Sequence, residues 1–144
     1  MGKKANLLRL KNLEETKQFG REIAGKIKGG AVVCLEGDLG AGKTTLTKAI
    51  AAELGIDAFK VKSPSYTYFR KYKLDGRNLY HIDLYRITEF DDLMQHEMEE
   101  LFEEKGAIII IEWPNRIEEL LPEKRITIKL KHLNEHEREV EYSF

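Results

Sequence analysis

The sequence has little of what would take it out of the ordinary globular class. It holds one cysteine in 144 residues, so no internal disulfide can form and a disulfide-stapled secreted domain is excluded. That residue, Cys34, lies in the apolar run Ala31-Val32-Val33-Cys34-Leu35 and reads as a small buried thiol. No apolar stretch approaches the roughly 18 residues a spanning helix needs. Met1-Gly2-Lys3-Lys4 leads into no signal-peptide core, so a cytoplasmic location without membrane contact is expected. There is no Pro/Gly/Ser linker, repeat or low-complexity tract, and residues 1–144 are expected to form one domain. Neither sign of charge dominates: 24 Lys and Arg face 25 Asp and Glu, a net charge of -1. A global attraction to nucleic acid or anionic membrane is therefore absent, which leaves local patches only. Glutamine is scarce while 34% of residues are charged, a composition leaning towards a thermophilic source.

What is present is an alternation of strand and helix patterns. Hydrophobic residues make up 42% of the chain, enough for one core. Residues 7–10 read as a short strand, and Asn12 with Glu15 three positions on marks a helix start. Phe19, Ile23 and Ile27 then form one buried stripe ending at Gly29-Gly30. Residues 31–36 form a near-continuous apolar run, as in a strand covered on both faces. Leu46, Ala49, Ile50 and Leu54 keep helical spacing up to Gly55. Residues 66–73 and 78–85, around Asp75-Gly76, read as a hairpin. Phe90, Met94, Met98, Leu101 and Phe102 predict another amphipathic helix, and 107–111 a second buried strand halted by Pro114. Ile126, Ile128 and Leu130, then Val140, Tyr142 and Phe144, predict a closing antiparallel pair. The expected fold is α/β: a three-layer P-loop sandwich around a mixed, mostly parallel sheet with antiparallel hairpins.

Gly37-Asp38-Leu39-Gly40-Ala41-Gly42-Lys43-Thr44 satisfies the P-loop pattern at every fixed position. Glycines 37, 40 and 42 allow positive φ, so main-chain amides can turn towards anionic oxygens. The helix beginning near Lys43 adds its N-terminal partial charge. Lys43 is placed to neutralise β- and γ-phosphates, Thr44 to offer a hydroxyl to magnesium, and Thr45 to contact the α-phosphate. The rival reading is an accidental glycine-rich turn, but the buried strand before it and the amphipathic helix after it are the context the motif requires. ATP or ADP with magnesium is the expected ligand.

A magnesium-nucleotide site also needs an acidic residue at a neighbouring strand's end. Glu112 follows Ile108-Ile109-Ile110-Ile111, and Asp83 ends the strand running from Leu79. Both would emerge at the carboxyl edge, where open α/β sheets hold their ligands. An ordinary solvated carboxylate is the alternative for each, and which of the two touches magnesium stays open. Ser63-Pro64-Ser65 occupies the chain position of a γ-phosphate-sensing loop, or is just a turn. His81 shares a strand face with Asp83 and reads as a packed histidine, not as a base. Of the aromatics, most read as core, and Trp113, between Glu112 and Pro114, stands apart.

Together these residues resemble the TsaE (YjeE) family over about Asn12 to Arg138. The resemblance rests on Glu36 to Thr45, Ser63-Pro64-Ser65-Tyr66, His81-Ile82-Asp83-Leu84-Tyr85-Arg86 and Ile111-Glu112-Trp113-Pro114, in that order. Ser65 stands where the family usually has threonine, which keeps the hydroxyl. The resemblance implies a weak ATPase that joins TsaB and TsaD in making threonylcarbamoyladenosine beside the tRNA anticodon, touching tRNA only through the complex. It implies Thr44 and Glu112 as magnesium ligands and Asp83 as a residue needed for hydrolysis or for positioning water. It further implies Trp113 near the active site, and Thr16 and Arg138 as nucleotide contacts. Three rivals remain. A kinase would use Arg70, Arg77 or Arg86 in a lid; a GTPase lacks an Asn-Lys-x-Asp segment here; a nucleic-acid module finds no support in the neutral charge.

Overall fold

The computed structural model describes residues 5–38, 40–57 and 68–144. The expected hydroxyl-rich loop, Ser63-Pro64-Ser65-Tyr66, and Leu39 of the glycine loop lie outside the described residues. The described residues form one seven-stranded sheet with three α-helices. In chain order the elements are β1 Asn6–Leu10, α1 Leu13–Lys26, β2 Ala31–Glu36, α2 Lys43–Glu53, β3 Phe69–Leu74 and β4 Arg77–Asp83. They continue with α3 Asp92–Glu103, β5 Ile108–Glu112, a 3-10 segment Pro114–Leu120, β6 Ile126–His132 and β7 Arg138–Ser143.

The sheet order is β1-β7-β6-β2-β5-β4-β3. Its centre is parallel: β2 pairs with β6 and β5, and β5 pairs with β4. Both flanks are antiparallel, β6-β7-β1 on one side and β4-β3 on the other. This is the arrangement expected from the sequence, a parallel centre with antiparallel additions, and three pairings of each kind make up the whole sheet. β2 and β5 are the most buried strands, and Ile108 to Ile111 are each 2% exposed or less. Each buried isoleucine contributes about 1.5–3 kcal/mol, so this strand anchors the core.

Alternation along β2 separates two cores. Val33 and Leu35 face a cluster with Phe19 and Ile23 of α1 and Leu46 and Ile50 of α2. Val32 and Cys34 face the opposite cluster, with Met98 of α3 and Ile117 of the 3-10 segment. Helices on both faces of a sheet give the expected three layers. Burial pushes the Cys34 thiol up to about 12, so it is inert packing, as its apolar run suggested.

The helix starts follow their signals. Asn12 caps α1 by accepting from the Glu15 amide at 2.9 Å, and the Glu15 carboxylate accepts from the Lys11 amide at 3.0 Å. Asp91 caps α3 through the Met94 amide at 2.8 Å, leaving Phe90 just ahead of the helix. α1 packs closely on α2 at Gly20, where a Cβ would stand 2.6 Å from the Ala49 Cβ and 3.3 Å from the Ile50 nitrogen. Gly20→Ala adds about 1 kcal/mol of helix propensity, against an overpacking penalty of about 1–3 kcal/mol. Neither Cβ can rotate away, so the penalty should win. The variant is expected to melt a few degrees below the parent by circular dichroism; a higher midpoint would refute the close contact.

Candidate active site

The site forms where the carboxyl edge of the parallel strands meets the loop between β2 and α2. Three glycines of that loop take positive φ: Gly37 at 151°, Gly40 at 80° and Gly42 at 105°. At Gly37 the need is steric as well, since a Cβ would lie 2.6 Å from the carbonyl oxygen of Leu130 on β6. Gly42 is the N-cap of α2 and offers no side chain, so the helix begins with amides that no side chain caps. Such an end is suited to an anion. Ala41 turns its methyl into the core, where it is 1% exposed, and gives its N–H to the Asp38 carbonyl at 3.0 Å.

Sheet register brings the acids together. On β4, Leu79, His81 and Asp83 share one face; on β5, Ile108, Ile110 and Glu112 do. The pairs run Leu79 with Ile108, His81 with Ile110 and Asp83 with Glu112, so the face turns from apolar to polar as it reaches the glycine loop. Glu112 also pairs with Leu35, just ahead of Gly37. Both carboxylates therefore stand beside the loop, although 29 positions separate them in sequence (112 minus 83).

Between these elements lies a pocket of about 280 Å³. Gly40, Gly42, Lys43, Thr44 and Thr45 line one side. Asp83, Tyr85, Glu112, Trp113 and Arg138 line the other. Lys43 is 5% exposed; its Nζ donates to the carbonyls of Gly37 and, at 3.0 Å, of Asp38, and lies 4.6 Å from the Trp113 ring centroid. Burial pushes its pKa down, against the opposing pull of Glu112, Asp83 and Asp38. Trp113 is the one non-glycine residue with positive φ among the described residues, at 62°. A backbone of that kind costs about 1–3 kcal/mol. It turns the chain at the end of β5 so that the ring covers Lys43 and stacks at 5.0 Å on Tyr85. Arg138 reaches across from β7 and donates from Nε to the Ala41 carbonyl at 3.0 Å.

Asp83 accepts from the Tyr85 amide at 3.0 Å. Burial holds its carboxyl above the usual carboxylate range, and Glu112 raises it further, while the Tyr85 amide, His81 and Lys43 partly offset this. The neutral form is thus favoured in the fold, a stabilisation present below about pH 4, the usual carboxylate value. It is lost as pH rises through the higher folded value. Asp83→Asn keeps the acceptor for the Tyr85 amide and removes the charge. In metal-free buffer its melting midpoint should match the parent near pH 4 and exceed it at neutral pH. A lower midpoint at neutral pH would show that the charge stabilises the fold.

The donor set fits magnesium. Two carboxylates and the Thr44 hydroxyl are hard oxygens, and magnesium binds through one or two carboxylates plus phosphates, not through a full protein cage. Two like charges facing one pocket, with one carboxyl already pushed upward, are what a divalent cation would relieve. Among the described residues no group of three or more His, Cys, Asp or Glu is placed to hold a metal ion.

Other expected residues lie elsewhere. Thr16 is 6% exposed on α1, its hydroxyl 3.4 Å from the Asn12 carbonyl, and it does not line the pocket. Gly37, Asp38 and Ala41 shape the loop from outside the pocket wall. Tyr85, part of the His81-to-Arg86 segment and one of the aromatics most of which read as core, is 40% exposed and lines the pocket. The sequence pattern carried the strand through residue 85, whereas β4 ends at Asp83 and Tyr85 falls in the turn beyond it. A larger groove of about 540 Å³ between α1 and α2, with Leu13, Lys17 and Ala49, adjoins the pocket at Thr45 but has no glycine cradle.

A family profile described as "Threonylcarbamoyl adenosine biosynthesis protein TsaE" matches residues 10–140. The chain is 42% identical over 133 residues to the tRNA threonylcarbamoyladenosine biosynthesis protein TsaE of Bacillus subtilis, covering 92% of this chain and 81% of that protein. The same-named protein of Aquifex aeolicus is 37% identical over 132 residues, covering 91% and 90%. The crystal structure of Bacillus subtilis YdiB superposes with a TM-score of 0.74 at 36% identity, covering 99% of this chain and 87% of that one.

Proposed function

This chain belongs to the TsaE family of tRNA threonylcarbamoyladenosine biosynthesis proteins, and from that premise we propose that it binds ATP with magnesium and hydrolyses it slowly. The observation that carries the reading is the convergence of the glycine loop, Lys43, Asp83 and Glu112 on one pocket. The main-chain amides at the start of α2 receive the phosphates, and Thr45 adds a hydroxyl there. Lys43 exchanges the carbonyls of Gly37 and Asp38 for β- and γ-phosphate oxygens. Thr44 and Glu112 would hold magnesium, which when bound would neutralise phosphate charge. Asp83 would orient the attacking water or share the metal. Trp113 and Tyr85 cover the opening and limit water.

Slow turnover has a physical basis. Arg138 is the arginine lining the pocket, and its guanidinium is held by the carbonyls of Ala41, Asn134 and Glu137. An arginine finger must be free to meet charge as it develops on the phosphoryl group. A partner therefore completes the site, and TsaB and TsaD are the partners proposed, with tRNA engaged through their complex in the cytoplasm. Among the described residues no helix is long and apolar enough to cross a membrane.

Calorimetry with excess magnesium should detect both ATP and ADP, and phosphate release should be slow alone and rise when TsaB and TsaD are added. Heat from neither nucleotide would overturn the reading. Transfer of phosphate to a small acceptor, with no free phosphate, would favour the kinase instead.

A further inference from the structure

One buried polar contact among the described residues is not explained by the proposed chemistry. His81 is fully buried and Glu112 is 3% exposed, and His81 Nε2 lies 2.5 Å from Glu112 Oε2. A carboxylate has no hydrogen to give, so the ring nitrogen carries it and donates. One lone pair of Oε2 is thereby occupied, while Oε1 is left for the pocket that Glu112 lines. A glutamate side chain has three rotatable bonds, and this contact removes the rotamers that would swing its head away.

A histidine placed for packing alone would satisfy both nitrogens or be replaced by an apolar residue. Here Nδ1 is buried and has no hydrogen-bond partner among the described residues. Leu79 on the same strand face and Ile110 beside it in register are apolar. A leucine at position 81 would fill such surroundings without stranding a nitrogen, so the ring's polar function is directed at Glu112. Carboxylates that ligate metals are commonly aimed by a hydrogen bond of this kind.

We infer that His81 is a positioning residue for the magnesium site, its Nε2–H fixing one oxygen of Glu112 so that the rest of the carboxylate meets the cation. The inference rests on Glu112 as a magnesium ligand. The test is the affinity of the full chain for ADP by calorimetry, in EDTA and across a magnesium titration. His81→Phe, which keeps the ring volume, should raise the magnesium concentration for half-maximal tightening about tenfold or more. Affinity in EDTA should stay within about twofold, a split that loss of packing would not give. His81→Gln, whose amide nitrogen reaches the Nε2 position, should restore most of the response, and His81→Asn, which reaches only the Nδ1 position, should not. In a Glu112→Gln background, His81→Phe should change nothing further. An unshifted magnesium titration in His81→Phe would overturn the inference. So would an equal response from the Gln and Asn variants, the comparison that decides if the Phe protein does not fold. Absence of any magnesium effect in the parent chain would instead defeat the metal reading itself.

Discussion

Replacing Lys43 by alanine is expected to weaken ATP and ADP binding by at least about a hundredfold. A hydrogen bond to a charged group contributes about 1.5–3 kcal/mol, and Lys43 would make such bonds to two phosphates. At 1.36 kcal/mol per decade, even one such bond at the upper end accounts for the expected factor. The fold should survive, because burial already disfavours the Lys43 charge. What the variant loses is the pair of bonds to the Gly37 and Asp38 carbonyls and the packing under Trp113. Circular dichroism establishes that the protein is folded, and calorimetry measures the loss. Parent-like affinity in a folded Lys43→Ala protein would remove the phosphate-binding role from this lysine, and with it the central support for an ATP site.

Glu112→Gln separates a different step. The substitution keeps the side chain's shape, and its amide oxygen still accepts from His81, but the charge facing the pocket is gone. Binding of ADP in EDTA should change by less than a few-fold, because phosphate recognition lies with Lys43 and the loop. Magnesium-dependent phosphate release should fall on the order of a hundredfold, about 2.7 kcal/mol of transition-state stabilisation. A loss confined to turnover marks an interaction that counts in the transition state; a matching loss of metal-free binding would mark general distortion. Equal turnover in the variant would transfer the metal role to Asp83, its partner in register.

Much of the architecture was legible because it is written in local pattern. The Asn12 and Glu15 cap, the Phe19-Ile23-Ile27 stripe and the apolar β2 and β5 runs each concern residues adjacent on one element. The place of β1 beside β7 was harder to read, since those partners lie at opposite ends of the chain, whereas β3–β4 and β6–β7 pair consecutive strands across short turns. Tyr85 was hidden for a similar reason: an aromatic residue next to a strand looks like core until the strand's end is known.

What the sequence alone determined is the glycine loop. Its constraints are those of the backbone, namely positive φ at glycines 37, 40 and 42 and a helix start at Lys43, and they act within eight consecutive residues. What only the tertiary structure decided is how distant groups meet that loop. Parallel pairing of β4 with β5 sets Asp83 opposite Glu112 and buries His81 against Glu112, and the left-handed backbone at Trp113 brings its ring over Lys43. Arg138 reaches Ala41 from the last strand. Those meetings depend on strand order and register, which a one-residue slip would reverse to the other face, and no local spacing in the chain encodes them.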